Sequence, residues 1–243
     1  MAFFMALATV TSCTQTGENS TADSANPADT LPELKGDDGL NRAARFYAGV
    51  SREGVDMSSA SFKTGWMQFI PIVIFDENRN LTGDSVTGKA YGEFLCRIFD
   101  YWYEHDHDKL WVQIFAETFM KIRHQAPSLC TLAEECGQAV VLENDGNVYA
   151  CDHFVFPEHC LGNIKDTSLL EIVNSDKLRE FARGKKNLPE KCLNCPWLAY
   201  CRGGCQKNRR MSEEGNITVL CEGYQILFSH IVPRLKELVN PQK

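Results

Sequence analysis

The 243-residue sequence has no run of about 18 consecutive apolar residues, the length a membrane-spanning helix needs. Nor has it an excess of basic residues. Its 25 Lys and Arg stand against 32 Asp and Glu, a net charge of −7. A chain whose main partner is nucleic acid ordinarily carries the opposite sign, so no nucleic-acid partner is expected. There is no internal repeat at periods of roughly 20–50 residues, which argues against a solenoid. Apolar and aromatic residues are not scarce, at 44% and 10%, so wholesale disorder is excluded. What is abundant is cysteine. Of 11 cysteines, nine lie between Cys130 and Cys221, with only Cys13 and Cys96 outside. Such a cluster is a disulfide framework or a metal site.

Residues 1–34 contain no Lys or Arg and nine Ser or Thr. Between Gly17 and Thr30 there is almost no large apolar side chain to offset chain entropy, which predicts a disordered leader. Its first residues, MAFFMALATV, run into Thr11-Ser12-Cys13. This is similar to a bacterial lipoprotein signal ending in a lipid-accepting cysteine, without the basic residues that open such signals.

A helix-like stretch covers Leu40–Tyr47. The β-branched and aromatic run Trp66–Phe75 predicts one buried strand, with Pro71 at a bulge or strand end because it has no N–H to donate. Asn78–Gly88 reads as a loop. Tyr91, Phe94, Leu95, Ile98, Phe99 and Trp102 then fall on one face of a helix, and Trp111–Phe115 predicts the next short strand. Strand then helix is the unit of an α/β fold. Beyond Cys130, Ala139–Glu143 and Val148–Asp152 read as a hairpin turning at Asn144-Asp145-Gly146-Asn147. Ser168 with Glu171 is a capping box, and Ser175 caps a second helix running to about Arg183. The basic loop Gly184–Leu188 reads as solvated surface. A last helix is expected over Gly223–Val239.

The cysteines read Cys130-x5-Cys136, then Cys151 at the end of the hairpin, then Cys192-x2-Cys195-x5-Cys201-x3-Cys205, and finally Cys221. A C-x2-C pair puts two thiolates on one tight turn, and soft thiolates in fours select zinc or iron–sulfur clusters. Spacing alone leaves zinc and iron–sulfur level. Disulfides fit less well, since 11 is odd and they need an oxidising compartment.

The words Cys130…Cys136-Gly137, the hairpin Asn144 to Val155 with its Cys151-Asp152-His153, Leu161-Gly162-Asn163-Ile164, and Cys192-Leu-Asn-Cys195-Pro196…Cys201-Arg202-Gly203-Gly204-Cys205 resemble the SPASM domain of radical S-adenosylmethionine enzymes, in particular the anaerobic sulfatase-maturating enzymes. Gln68-Phe69-Ile70-Pro71-Ile72 and Tyr91-Gly92-Glu93-Phe94-Leu95 resemble later barrel segments of the same family. The likeness spans about Gly65 to Leu238. It implies an α/β fold: the C-terminal part of a partial (β/α) radical SAM barrel, followed by a small α+β cysteine-rich domain. The implied division is a leader at 1–34, a partial barrel at 35–128, and a SPASM auxiliary-cluster domain with its C-terminal helix at 129–243.

The resemblance further implies two auxiliary [4Fe–4S] clusters. Cys130, Cys136, Cys151 and Cys205 would hold one. Cys192, Cys195, Cys201 and Cys221 would hold the other. Cys160 is left over, as a small buried thiol. Asp152 matches the family's general base. The implied reaction oxidises a sulfatase Cys or Ser to formylglycine, so the implied partners are a sulfatase peptide or unfolded sulfatase and an electron donor or acceptor protein.

The C-x3-C-x2-C motif that holds S-adenosylmethionine on a third [4Fe–4S] cluster does not occur in the sequence, since Asn208 stands where the third cysteine after Cys201-x3-Cys205 would be. That cofactor and that cluster are therefore expected only in a full-length relative. The chain is expected to be a fragment or a degenerate form, inactive in isolation. The competing class is a non-catalytic iron–sulfur or zinc module that binds peptide or relays electrons. Oxygen-sensitive clusters imply the cytoplasm, whereas Cys13 implies a lipid anchor.

Overall fold

The computed structural model describes residues 65–137 and 139–239. The leader at 1–34, the lipid-anchor reading of Cys13 and the helix-like stretch Leu40–Tyr47 lie outside the described residues.

Strand β1 (Trp66–Met67) leads through a long extended segment to helix α1 (Gly88–His105). Strand β2 (Trp111–Val112) and helix α2 (Gln113–Ile122) follow. β1 and β2 pair in parallel, with α1 between them in the chain. The strand expected over Trp66–Phe75 therefore forms a ladder over only two residues, with Phe75 making an isolated antiparallel bridge to Leu81. The remainder keeps the alternation of a half-buried strand. Val73 is buried, whereas Ile70, Ile72 and Ile74 are 59%, 60% and 45% exposed. The strand expected over Trp111–Phe115 also stops early, because Gln113, Ile114 and Phe115 form the first turn of α2 and are buried there.

α1 forms where the apolar spacing puts it. Thr87 caps it, its hydroxyl accepting from the Ala90 N–H at 3.2 Å. Tyr91, Phe94, Leu95, Ile98, Phe99 and Trp102 are all buried. They pack against the last helix, α7 (Cys221–Val239), whose Tyr224, Leu227, Phe228, Ile231 and Leu235 complete one core with Val112, Phe115 and Leu132. Backbone meets backbone where these helices cross. A Cβ on Gly92 would lie 2.6 Å from the Gly223 Cα, and one on Gly223 would drive into the Gly88 carbonyl oxygen.

The cysteine-rich part is built from small elements. β3 (Val141–Leu142), β4 (Asn147–Tyr149) and β5 (Cys160–Asn163) form an antiparallel sheet in that order. The hairpin turn is at the expected place, with Gly146 at φ +93°. α3 (Leu169–Val173) carries the full Ser168–Glu171 capping box, and Ser175 caps α4 (Asp176–Gly184). α5 (Glu190–Leu193) and α6 (Leu198–Cys201) are single turns. The hairpin β6 (Arg209–Ser212) and β7 (Gly215–Thr218) leads into α7. Among the described residues no helix is long and apolar enough to cross a membrane.

Two outcomes follow from this packing. Gly223→Ala should cost about 3 kcal/mol, because backbone cannot yield to the added methyl. Equilibrium urea unfolding measures it, and a loss within error of zero would refute the close crossing. The second concerns Cys96 on α1. Burial, then the Asp100 and Glu93 carboxylates, push its thiol from 9.0 up to about 12. The unfolded thiol ionises near the lower value. Its contribution to stability is thus fully present below pH 9.0 and is lost as the pH climbs towards 12. The urea midpoint should fall above pH 9.0 more steeply in the wild type than in Cys96→Ala.

Candidate metal centre

The loop after α2 presents the first thiol. Glu117 on α2 is buried, and its carboxylate accepts from the Ser128 N–H at 2.8 Å and from the Ser128 hydroxyl, anchoring the chain two residues before Cys130. Lys121, one turn further along α2, donates to the carbonyls of Leu132 at 2.6 Å and Tyr200 at 3.2 Å. That lysine ties the Cys130 loop to α6, which ends at Cys201. The Cys136 N–H donates to the Ala182 carbonyl of α4, and Gln206 Nε2 lies 3.4 Å from Cys136 Sγ.

Cys151 follows β4 in extended backbone, and Asp152 opens a 3-10 turn. Strand alternation would send their side chains to opposite faces. The turn instead brings Asp152 Oδ1 within 3.1 Å of Cys151 Sγ. His153 Nδ1 lies 3.7 Å from Cys205 Sγ. Cys151, Asp152 and His153 offer ligand atoms all within 4.8 Å of one another.

Between Cys201 and Cys205 the chain reverses through three consecutive left-handed residues. Arg202, Gly203 and Gly204 have φ of +49°, +75° and +62°. Only glycine adopts such a run without strain, and space is short as well. A Cβ on Gly203 would lie 2.6 Å from Arg209 Nη2, and one on Gly204 would lie 3.0 Å from the Tyr224 ring. The reversal carries Cys205 away from its sequence neighbours.

Several of the thiols lie near enough to interact electrostatically. Cys205 interacts with Cys130, Cys136 and Cys151. Cys201 interacts with Cys192, Cys195 and Cys221. All eight are half-buried. Burial is the leading cause that holds Cys130, Cys205, Cys192 and Cys221 above the ordinary thiol value, and it pushes Cys151 to about 12 and Cys201 to about 11. A metal would have to displace these protons, so its binding should strengthen with pH. Cys160 stands apart on β5, its Sγ 3.8 Å from the Gly162 carbonyl.

The spread of the sulfurs tests which metal the donors fit. Four thiolates around one zinc, at about 2.3 Å each, lie within roughly 4 Å of one another. Among the described residues no three of the eight thiols come within 4.8 Å of one another. All-thiolate sets opened wider than one zinc needs fit a polynuclear iron–sulfur cluster.

Lys185 is a residue that composition misreads. In the expected solvated loop Gly184–Leu188, it is 0% exposed and donates to the carbonyls of Cys130 at 2.6 Å, Thr131 at 3.0 Å and Ala133. It follows the last residue of α4, a helix packed through Leu178 and Ala182 against Gly137, so its side chain is drawn inward. Neither its sequence spacing nor its charge announces this.

Residues 130–196 match the SPASM family, described as an iron–sulfur cluster-binding domain. That segment of the chain is similar to the SPASM domain. A serine-type anaerobic sulfatase-maturating enzyme of Bacteroides thetaiotaomicron is 42% identical over 166 residues, covering 65% of this chain and 40% of the relative. A cysteine-type enzyme of Clostridium perfringens is 31% identical over 160 residues, covering 64% and 43%. A solved structure, native anSMEcpe with bound AdoMet and Cp18Cys peptide, superposes with a TM-score of 0.69 at 26% identity, over 84% of this chain and 55% of the other. Within the radical SAM proteins, the chain is like the C-terminal part of the anaerobic sulfatase-maturating enzymes. It spans about half the length of these relatives or less.

The crossed grouping has a direct test. Cys205→Ala should abolish the metal signal that Cys130→Ala also abolishes, and leave the one that depends on Cys192. Loss of the Cys192-dependent signal alone would refute the grouping. Cys160→Ala should leave metal content unchanged.

Proposed function

We propose that this chain carries two [4Fe–4S] clusters, one on Cys130, Cys136, Cys151 and Cys205 and one on Cys192, Cys195, Cys201 and Cys221. It would serve as the auxiliary-cluster part of a sulfatase-maturating radical SAM oxidoreductase. The observation that supports this reading is that Cys205 interacts electrostatically with Cys130, Cys136 and Cys151, and Cys201 with Cys192, Cys195 and Cys221. β1, α1, β2 and α2 would be the closing segment of the barrel, with residues 129–243 as the cluster domain. Bound at these thiols, the clusters would supply one-electron acceptor chemistry.

The substrate by this reading is a sulfatase peptide or unfolded sulfatase whose Cys or Ser becomes formylglycine. The side chain must lose a Cβ hydrogen atom, the thiol or hydroxyl proton, and one further electron, which gives the aldehyde directly from Ser and a thioaldehyde from Cys that water hydrolyses with release of hydrogen sulfide. Asp152 takes the proton. It is exposed, so a peptide can reach it, and it lies 3.1 Å from a thiol of the first group. Proton and electron leave one carbon together, so the base is needed beside the acceptor. S-adenosylmethionine and its own cluster belong to the C-x3-C-x2-C segment of the longer relatives, and this chain by itself should not cleave that cofactor. By this reading the chain works in the cytoplasm, where reducing conditions protect such clusters.

Purified without oxygen, the chain should be brown and contain about eight irons if both clusters are four-iron. A colourless protein with about two zincs would overturn this reading and favour a non-catalytic binding module. In a chimera that adds the preceding barrel segments of a relative, Asp152→Asn should keep its iron and its cofactor cleavage. It should form formylglycine about 10²–10⁴-fold more slowly. Undiminished product would remove Asp152 as the base.

A further inference from the structure

Two cations are buried beside the thiols. Lys185 is 0% exposed and Arg209 2%. Among the described residues neither forms an ion pair with a carboxylate. Their hydrogen bonds go to backbone carbonyls. Lys185 Nζ holds the Cys130 loop, as described above. Arg209 Nε donates to the Gly203 carbonyl at 3.1 Å, and its Nη2 to the Lys185 carbonyl at 3.0 Å. Carbonyl dipoles solvate a cation but do not neutralise it, and an uncompensated buried charge is strongly unfavourable.

The negative charge these cations face is sulfur. Lys185 interacts electrostatically with Cys130, Cys136 and Cys205, all of one group. Arg209 interacts with Cys136 and Cys205 of that group and with Cys192 and Cys201 of the other. It lies between the two sets, at the start of β6, directly after the 3-10 turn Gln206–Asn208 that follows Cys205. The two residues thus divide differently. One serves a single set of thiols and the other is shared.

We propose that Lys185 and Arg209 compensate the charge of the two thiolate-bound clusters and set their reduction potentials, Lys185 acting on the cluster at Cys130, Cys136, Cys151 and Cys205, and Arg209 on both. This rests on the cluster reading above. A cluster on four thiolates carries net negative charge, and taking up one electron increases it. A fixed cation in a low-dielectric interior stabilises the reduced form more than the oxidised form and raises the potential. Both clusters become better acceptors for the electron that leaves the substrate. Neither side chain touches the reacting atoms, so both are positioning residues.

The test is a redox titration of the full iron-loaded chain under argon. Dithionite supplies single electrons in the presence of low-potential dyes, and the reduced clusters are followed by electron paramagnetic resonance. Lys185→Met should shift one of the two reduction steps at least tenfold towards the oxidised form, about 59 mV lower for one electron, and leave the other nearly unmoved. Arg209→Gln should lower both. Lys185→Arg, which keeps the charge, should restore the wild-type value. Iron-loaded neutral variants with unmoved midpoints would overturn the proposal while leaving the clusters in place. A wild-type chain that takes up no iron would overturn the cluster reading itself. If the neutral variants fail to load iron, Lys185→Arg and Arg209→Lys decide. Normal loading and potentials there support a need for charge. Failure there too would make both side chains hydrogen-bonding props and overturn the proposal.

Discussion

Helix α7 lies on α1 with backbone against backbone, at Gly88, Gly92 and Gly223, and the cysteine-rich half takes its position from that contact. Cys221 opens α7 two residues before the crossing glycine. Tyr224, one residue after it, is buried against the core and would crowd a Cβ on Gly204 at 3.0 Å. Gly204 in turn ends the left-handed reversal that delivers Cys205. A single close approach between helices therefore propagates to thiols of both groups. Helix packing at this distance admits few alternatives, because interiors are filled to crystal-like density.

The second constraint is electrostatic. Buried Lys185 and Arg209 and the half-buried ammonium of Lys121 all lie within electrostatic reach of one or more of the thiols. Burial holds Lys121 at about 8, well below its ordinary 10.5. Burial drives thiols towards their protonated form and cations towards their neutral form, so the site is at odds with itself while its sulfurs keep their protons. Thiolates and cations together satisfy each other. Under the cluster reading proposed above, the buried lysine and arginine would face negative sulfur in place of a carboxylate.

What could be read from the sequence follows from how local each signal is. α1 announced itself through the spacing from Tyr91 to Trp102, and α3 and α4 through the caps Ser168 and Ser175, because these depend on residues three or four apart. The strands were less legible. Trp66–Phe75 has the composition of a strand, yet Pro71 and the lack of a second paired neighbour leave only Trp66–Met67 in a ladder. Gln113–Phe115 looked extended because buried helix turns and buried strands share apolar residues. β5 lacks alternation altogether, since Gly162 interrupts it. At the site, the cysteines stand out by spacing alone as candidate ligands, whereas the crossed grouping proposed above rests on the family likeness, because spacing puts Cys205 with Cys201. Lys185 was misplaced because a run of basic residues says nothing about which of them the chain turns inward.

The extended segment before α1 has a consequence for how the protein behaves in concentrated solution. From Trp66 to Phe75 it is uncharged, and Ile70, Ile72 and Ile74 form an exposed apolar row beside the stacked, half-open indoles of Trp66 and Trp111. Such a row invites apolar contact with a second copy, while the backbone beneath it is partly engaged, the Ile72 and Ile74 carbonyls accepting from the Val86 and Thr82 N–H groups. Pro71 stands inside it with no N–H to offer, interrupting the ladder an incoming strand would need. In a stretch that has no charge to repel a second copy, Pro71 withholds one backbone donor and the paired carbonyls around it withhold acceptors.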